Sequence, residues 1–85
     1  MKHFTSPDFW HLFDRLPSDI QTLARENYEL LKANPRHPSL HLKKSGDYRS
    51  VRIGLGYRAL GKDVEGGILW GWIGPHTKYT RILSS

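Results

Sequence analysis

Two arginines flank a Gly-Leu-Gly break in the middle of the chain, and their spacing suggests phosphate binding. The run from Tyr48 to Leu60 has β-branched and aromatic residues on both sides of Gly54-Leu55-Gly56, a hairpin pattern. A three-residue loop pairs Arg52 with Arg58 and sets both side chains on one face, whereas a two-residue loop would force one guanidinium toward the core. Paired like charges are destabilising unless an anion lies between them, and a guanidinium fork suits phosphate. The pattern predicts an anion site.

Further basic and titratable side chains are expected beside this pair. His76 and Tyr79 follow the last predicted strand, and Lys43 and Lys44 lie on the strand before the hairpin. Neighbouring side chains on a strand point to opposite faces, so at most one of the two lysines can reach the groove. A basic groove with an imidazole at one end is sufficient for metal-independent RNA cleavage. The RNA supplies its own 2′-hydroxyl, side chains move the protons, and fixed cations stabilise the phosphorane.

Each of these residues also has a structural interpretation. The lysines can be ordinary surface residues, Arg52 can stack on a neighbour, His76 can cap the C-terminal segment, and Tyr79 can fill the core. Arg58 is harder to explain structurally, because it lies in the middle of a strand.

Two apparent motifs are rejected. His37 and His41 have the i, i+4 spacing of a metal pair, but Pro38 breaks the helix that this geometry needs. Gly54-x-Gly56 is followed by a strand and not by a helix, so it is no phosphate loop. The sequence therefore predicts no metal and no cofactor.

Composition narrows the class of protein. The 85 residues include 13 Lys and Arg, 8 Asp and Glu and no Cys, giving a formal net charge of +5. The excess of positive charge favours nucleic acid or an acidic protein as the partner. The absence of cysteine excludes disulfides. The N-terminus lacks a signal-peptide pattern, and the longest apolar run, Ile68 to Ile73, is too short for a membrane span. We expect one soluble cytoplasmic domain over residues 1–85, with no membrane contact.

The first half of the chain predicts a short strand and two helices. Residues 2–5 can form the strand, and Ser6-Pro7 is a helix start with Ser6 as N-cap. Ser18-Asp19-Ile20-Gln21 resembles a capping box that opens a second helix, which ends at Asn34-Pro35. One apolar stripe runs along this second helix at Ile20, Leu23, Ala24, Asn27, Leu30 and Leu31.

The second half predicts four strands. They are residues 39–44, the two hairpin strands, and Ile68 to Ile73, which is apolar on both faces. Trp70 and Trp72 in the last strand are expected in the core. The segment His76 to Leu83 is polar, with Tyr79, Ile82 and Leu83 available for docking. The predicted fold class is α+β: an antiparallel sheet in the order strand, helix, helix, four strands, with both helices on one face and the groove on the uncovered face.

These motifs together resemble the RelE/ParE superfamily of bacterial toxins, especially the small RelE-type members. The resemblance covers essentially the whole chain. It rests on Asn34-Pro35, His37-Pro38-Ser39-Leu40, Tyr48, Val51-Arg52-Ile53-Gly54, Gly56-Tyr57-Arg58-Ala59-Leu60, Trp72-Ile73-Gly74 and His76-x-x-Tyr79. It implies a toxin of a type II toxin–antitoxin system, an endoribonuclease that cleaves mRNA in the ribosomal A site and is silenced by a cognate antitoxin.

The resemblance also implies roles for individual residues. Arg58 matches the hairpin arginine that holds the scissile phosphate, and Arg52 stands where a catalytic or phosphate-binding basic residue lies. His76 matches an arginine or histidine after the last strand, and Tyr79 matches a tyrosine that stacks on or orients the substrate. Lys43, Lys44 and Arg49 are candidates for RNA binding. Ser50 interrupts the family's lysine pair, so the general base is open, with Lys43 or Lys44 as candidates.

Two other functions compete with this one. The superfamily includes gyrase-poisoning ParE-like members without the catalytic set, and the presence of both arginines, His76 and Tyr79 argues against that class. A plain RNA-binding module is disfavoured because few aromatic side chains are expected at the surface for base stacking.

Overall fold

The computed structural model describes residues 2–84 as a five-stranded sheet with helices on both faces. The elements are β1 Lys2–Thr5, α1 Pro7–Asp14, α2 Ser18–Ala33, a 3₁₀ helix Pro38–Leu40, β2 Lys43–Ser45, β3 Tyr48–Ile53, β4 Tyr57–Val64, β5 Gly67–Pro75 and α3 His76–Ser84. The strand order is β1-β5-β4-β3-β2. The predicted α+β class is confirmed, and so is the predicted order of one strand, two helices and four strands. After β5 the chain forms a further helix, α3, which was not predicted. Within the described residues, no helix is long and apolar enough to cross a membrane.

The sheet is mixed, so the prediction of a purely antiparallel sheet is wrong at one edge. β1 runs parallel to β5, with Lys2 opposite Gly67 and Thr5 opposite Trp70, while the other pairs are antiparallel. The β3–β4 and β4–β5 pairs are hairpins, whose tight connections dictate opposite strand directions. β1 and β5 are separated by most of the chain, so no turn fixes their relative direction.

The two N-terminal helices begin differently. Ser6 caps α1 as predicted, since its Oγ accepts a hydrogen bond from the Phe9 backbone N–H at 3.3 Å. The predicted capping box at Ser18 is wrong, because α2 has Pro17 as its N-cap and no side-chain cap bond. Gln21 instead donates its amide to the carbonyls of Phe13 at 3.1 Å and Leu16 at 3.2 Å, where it satisfies the end of α1. These two hydrogen bonds connect the start of α2 to the end of α1.

The main core lies between α1, α2 and one face of the sheet. Its buried members are Phe13, Ala24, Leu31, Leu40, Val51, Ile53, Ala59, Ile68, Trp70 and Ile73. Large apolar side chains each stabilise the fold by roughly 1.5–3 kcal/mol when fully buried. Trp70 belongs to this core, as predicted, whereas Trp72 is half-buried and partners Leu60 on the opposite face. The alternation along β3 and β4 therefore turns Arg52 and Arg58 away from the core.

The segment before the central hairpin is not the long strand that its alternating pattern suggests. Pro38 starts a 3₁₀ helix, and the His37 ring accepts a hydrogen bond from the Ser39 backbone N–H at 3.2 Å. His41 then adopts a left-handed backbone with φ of 46°, and only Lys43–Ser45 form β2. Leu40 is buried and anchors this turn. The alternation of Leu40 and Leu42 with polar residues, which suggested a strand, therefore falls on a turn before β2.

A third helix covers part of the second sheet face, which was predicted to be bare. α3 packs against β4 and β5, and Tyr79 on it is only 6% exposed. Tyr79, Ile82 and Leu83 are the three residues predicted for docking, and their spacing of three and four places them on one side of a helix. α3 therefore packs on the same face of the sheet as Arg52 and Arg58.

Candidate active site

Arg52 and Arg58 are direct partners across the β3–β4 pair. The register also pairs Ile53 with Tyr57, so the loop is the predicted Gly54-Leu55-Gly56. Gly54 has a φ of +61°, a left-handed conformation that glycine adopts without steric cost. The tight loop fixes the strands, and the strands set both guanidinium groups on the face away from α1 and α2.

Each arginine guanidinium contacts a group that carries no negative charge. Arg58 Nη1 donates to the Tyr57 carbonyl at 2.8 Å, and Arg52 Nη1 lies 3.0 Å from His41 Nε2. The Asn27 amide reaches from α2 to the Arg52 carbonyl at 3.1 Å and fixes the backbone there. Within residues 2–84, the three carboxylate ion pairs involve neither arginine. Both positive charges are therefore available to an external anion.

Tyr79 connects α3 to this pair of arginines. Its ring centroid lies 5.9 Å from Arg58 Cζ and 5.8 Å from the His76 ring, to which it is inclined by 27°. Its hydroxyl donates to Ser50 Oγ at 3.3 Å, and Ser50 is itself 2% exposed. A buried ring cannot stack on a substrate base, so in this structure Tyr79 positions Arg58 and His76.

His76 is the exposed first residue of α3. Its backbone N–H donates to the Gly56 carbonyl at 2.8 Å, which fastens the start of the helix to the hairpin loop. The structure thus brings four of the predicted site residues together, since His76, Tyr79, Arg58 and Arg52 form a continuous row. His41 extends that row beyond Arg52.

The three remaining basic candidates divide between the two faces. Lys43 is exposed and partners Ser50 in the register, so it shares the face of Arg52. Lys44 partners Arg49 on the opposite face, where both bind Asp63. Arg49 Nε lies 2.9 Å and Lys44 Nζ 3.4 Å from the Asp63 carboxylate. The structure therefore does not bring Lys44 and Arg49 to the arginine pair.

The Asp63 carboxylate is stabilised as an anion by these contacts. The hydrogen bonds from Arg49, with a smaller contribution from Lys44, hold the pKa of Asp63 below its usual range. Its negative charge offsets part of the charge of the two cations, which weakens their attraction for a further anion.

Among residues 2–84, no three histidine or carboxylate side chains come together as a metal site. A cavity of about 310 Å³ lies on the other side of the sheet, walled by core residues such as Phe13, Val51 and Trp70. Its walls are mostly apolar, and neither Arg52 nor Arg58 lines it. The row of basic and titratable groups is therefore the candidate active site.

Solved structures supply the comparison. The RelB–RelE antitoxin–toxin complex from Methanococcus jannaschii contains a chain that superposes with a TM-score of 0.72 at 14% identity, covering 93% of this chain and 96% of that one. YafQ from E. coli gives 0.68 at 14% identity, with coverages of 92% and 96%. The isolated E. coli RelE toxin gives 0.62 at 12% identity, with coverages of 96% and 94%. This chain has the RelE-type toxin fold. No protein-family model matches the sequence, and no curated protein shows significant similarity to it.

Sequence reasoning missed three parts of the site in this RelE-type fold. His41 was considered only as a metal ligand and as a strand residue, so its contact with Arg52 was not foreseen. Ser50 was noted only as an interruption of a lysine pair, although it anchors the Tyr79 hydroxyl. Asn27 looked like one more member of the apolar stripe of α2, but its amide binds the Arg52 carbonyl. A polar residue within an apolar stripe was the available signal for Asn27.

Proposed function

We propose that this protein is the toxin of a type II toxin–antitoxin system and a metal-independent endoribonuclease that cleaves mRNA, with the ribosomal A site as its place of action. The observation that carries the proposal is the pair Arg52 and Arg58, which lie side by side with no carboxylate ion pair among residues 2–84 and are joined through Tyr79 to an exposed histidine. The RelE-type fold of the chain supports the same class.

The arginines bind the scissile phosphate. Their guanidinium groups repel each other across the strand pair, and a bound phosphate removes that repulsion while accepting charge-assisted hydrogen bonds. When the 2′-oxygen attacks phosphorus, extra negative charge develops on the non-bridging oxygens. Donors already fixed on a hairpin stabilise this charge without reorganising at the moment of reaction.

His76 is the general acid in this proposal. The 2′-oxygen forms a bond to phosphorus, the bond from phosphorus to the 5′-oxygen breaks, and the imidazolium gives its proton to that departing oxygen. The products are a 2′,3′-cyclic phosphate and a 5′-hydroxyl. No protein nucleophile and no metal is consumed or required. Tyr79 keeps His76 and Arg58 at a fixed separation, because its buried ring contacts both.

The partners follow from charge and from the structural relatives. A chain with a net charge of +5 is attracted to RNA and to the ribosome, and an acidic protein can neutralise it. Chains of the same fold were solved as RelB–RelE complexes from Methanococcus jannaschii and Pyrococcus horikoshii. We infer a cognate antitoxin for this protein as well.

A ParE-like inhibitor of gyrase is the second candidate, and expression in cells separates the two. Without antitoxin, the chain should arrest growth by stopping translation, with mRNA cut inside codons while plasmid supercoiling stays normal. Transcript ends mapped by sequencing and plasmid topoisomers resolved on gels are the two measurements. If supercoiling fails first and mRNA stays intact, the ribonuclease proposal is wrong.

A further inference from the structure

We propose that His41 is the general base of this site and that its Nε2 takes the proton of the attacking 2′-hydroxyl. The inference rests on the proposed ribonuclease function and goes beyond it, since neither the sequence motifs nor the fold assigns a base. It starts from one contact, the 3.0 Å approach of Arg52 Nη1 to His41 Nε2.

The contact defines the state of the ring nitrogen. Arginine has only donors and stays protonated, so it must donate in this pair and Nε2 must accept. The ring therefore presents an unprotonated nitrogen beside the phosphate-binding groups, as a base requires. Around it, Arg52 on β3 contacts the ring directly, Arg58 on β4 lies across from Arg52, and Lys43 on β2 shares their face.

The position of His41 suits attack on a bound phosphate. An oxygen that accepts from the Arg52 guanidinium lies roughly two hydrogen-bond lengths, about 6 Å, from Nε2. The 2′-hydroxyl of the same nucleotide adjoins that phosphate. When Arg52 turns to the phosphate, the lone pair of Nε2 becomes free for the 2′-hydroxyl proton.

The order of groups along the face also fits the stereochemistry. In-line displacement needs the base and the acid on opposite sides of phosphorus, because the attacking and leaving oxygens are opposite each other. His41 lies beyond Arg52 at one end of the row, and His76 lies beyond Arg58 and Tyr79 at the other end. The two arginines between them bind the phosphate. The proton balance closes, since His41 gains one proton and His76 loses one.

The backbone of His41 offers a suitable set of variants. Its φ of 46° is left-handed, a conformation that glycine adopts freely. His41→Gly therefore removes the imidazole without adding strain and leaves a space that free imidazole can enter. His41→Gln keeps an acceptor for Arg52 but cannot take up a proton at neutral pH. His11→Gln is the matched control, because His11 is exposed on α1, on the other side of the sheet.

The experiment measures single-turnover cleavage of an RNA oligonucleotide and of ribosome-bound mRNA against pH. His41→Gly and His41→Gln should each lose about 10²-fold or more in rate, the scale of general-base catalysis. Both should bind RNA with affinity within about threefold of wild type, because the arginines remain. Wild type should lose rate toward acid pH as the base takes up a proton, and both variants should lack this acid limb. Added imidazole should restore His41→Gly, and His11→Gln should behave as wild type.

The outcomes separate a base from a residue that only holds Arg52. If His41→Gln keeps the wild-type rate and acid limb, the acceptor alone matters and the assignment of His41 as base is wrong. A folded His41→Gly that cleaves at the wild-type rate, or that stays slow with no response to imidazole, also overturns it. If the wild-type protein cleaves neither substrate, the ribonuclease proposal fails and this one fails with it.

Discussion

Arg58 is placed by the backbone as much as by its own contacts. It lies within β4, donates to the Tyr57 carbonyl, and faces Arg52 across the hairpin. The main core lies on the opposite face of the sheet, so its packing does not depend on the Arg58 side chain. The charge and the planar guanidinium group of Arg58 can therefore be changed by substitution without unfolding the protein.

Arg58→Lys should lower cleavage strongly while leaving the protein folded. Lysine keeps the charge but presents a point donor instead of a planar fork, so bidentate binding to the phosphorane is lost. Removing one such donor costs roughly 10²–10³ in rate. Single-turnover cleavage and urea unfolding are the measurements, with Arg36→Lys on the exposed turn after α2 as the matched control. Normal cleavage by Arg58→Lys, or an unfolded variant, would reject the assignment.

His76→Gln should lose cleavage and keep RNA binding. In the proposed site the arginines carry the electrostatic affinity, so the salt slope should stay near −0.7 for each phosphate neutralised on a single strand. An imidazolium that donates the proton predicts a wild-type rate that falls toward alkaline pH, and the variant should lack that limb. Identical pH profiles and similar rates for the two proteins would reduce His76 to an anchor for α3.

The sequence predicts the positions of these side chains only where the register of paired strands determines them. Pairing Arg52 with Arg58 followed from the odd loop and the alternation of β3 and β4, and the structure confirms it. The contact of His41 with Arg52 depends on a left-handed turn after a 3₁₀ helix, which no periodicity encodes. The burial of Tyr79 depends on where α3 docks, which a polar segment does not reveal.

The edge strand β1 is attached to the sheet partly through His3. The Trp70 indole N–H donates to His3 Nδ1 at 3.1 Å, which requires that nitrogen to be unprotonated. Partial burial, with the Lys32 cation nearby, lowers the pKa of His3 below its ordinary value. The folded protein therefore disfavours the protonated ring, whereas the unfolded chain does not.

Acid pH should weaken this attachment. Because the folded pKa is below the unfolded value of about 6.5, the unfolded chain binds more protons between the two. The free energy of unfolding therefore falls as pH drops through about 6.5 and levels off below the folded pKa. His3→Gln keeps an acceptor for Trp70 but does not titrate, so its unfolding free energy should depend less on pH. Urea unfolding at pH 5 to 8 measures this difference, and parallel curves for both proteins would contradict it.

Gly67 on β5 lies directly opposite Lys2 on β1. A Cβ added there would collide with the Lys2 backbone, whereas one added at Gly56 would meet nothing within 4 Å. Gly67→Ala should therefore displace β1 and destabilise the protein by at least about 2 kcal/mol, as overpacking does. Gly56→Ala, the control, should change stability by about 0.5 kcal/mol or less. Equal unfolding free energies for the two variants would show that β1 contributes little to the fold.

Elements with local signals were predictable, and elements defined by distant contacts were not. Ser6 marked the start of α1, and the glycine-bounded loop marked the hairpin. The parallel pairing of β1 with β5 joins opposite ends of the chain, so local patterns contain no information on its direction. α3 was missed because few of its residues are apolar, although Tyr79, Ile82 and Leu83 have helical spacing.

The net charge of +5 is distributed unevenly over the molecule. Asp63 binds Lys44 and Arg49 on one face, whereas Arg52 and Arg58 on the other have no carboxylate ion pair within residues 2–84. An anionic ligand therefore gains most on the face that carries α3. Composition predicts an anionic partner. The sheet register adds which cations lie on the face away from Asp63, where an anion can bind them.

In the proposed reaction, the RNA's own 2′-hydroxyl is the nucleophile at the face that carries Arg52 and Arg58. The most direct test compares single-turnover cleavage of one mRNA with that of the same mRNA carrying a single 2′-deoxynucleotide 5′ to the cut, both bound to ribosomes and with EDTA-treated protein. The normal mRNA should give a 2′,3′-cyclic phosphate and a 5′-hydroxyl, identified by mass spectrometry, and the substituted mRNA should stay intact at that position. Equal cleavage of both, or products ending in a 5′-phosphate, would contradict the mechanism.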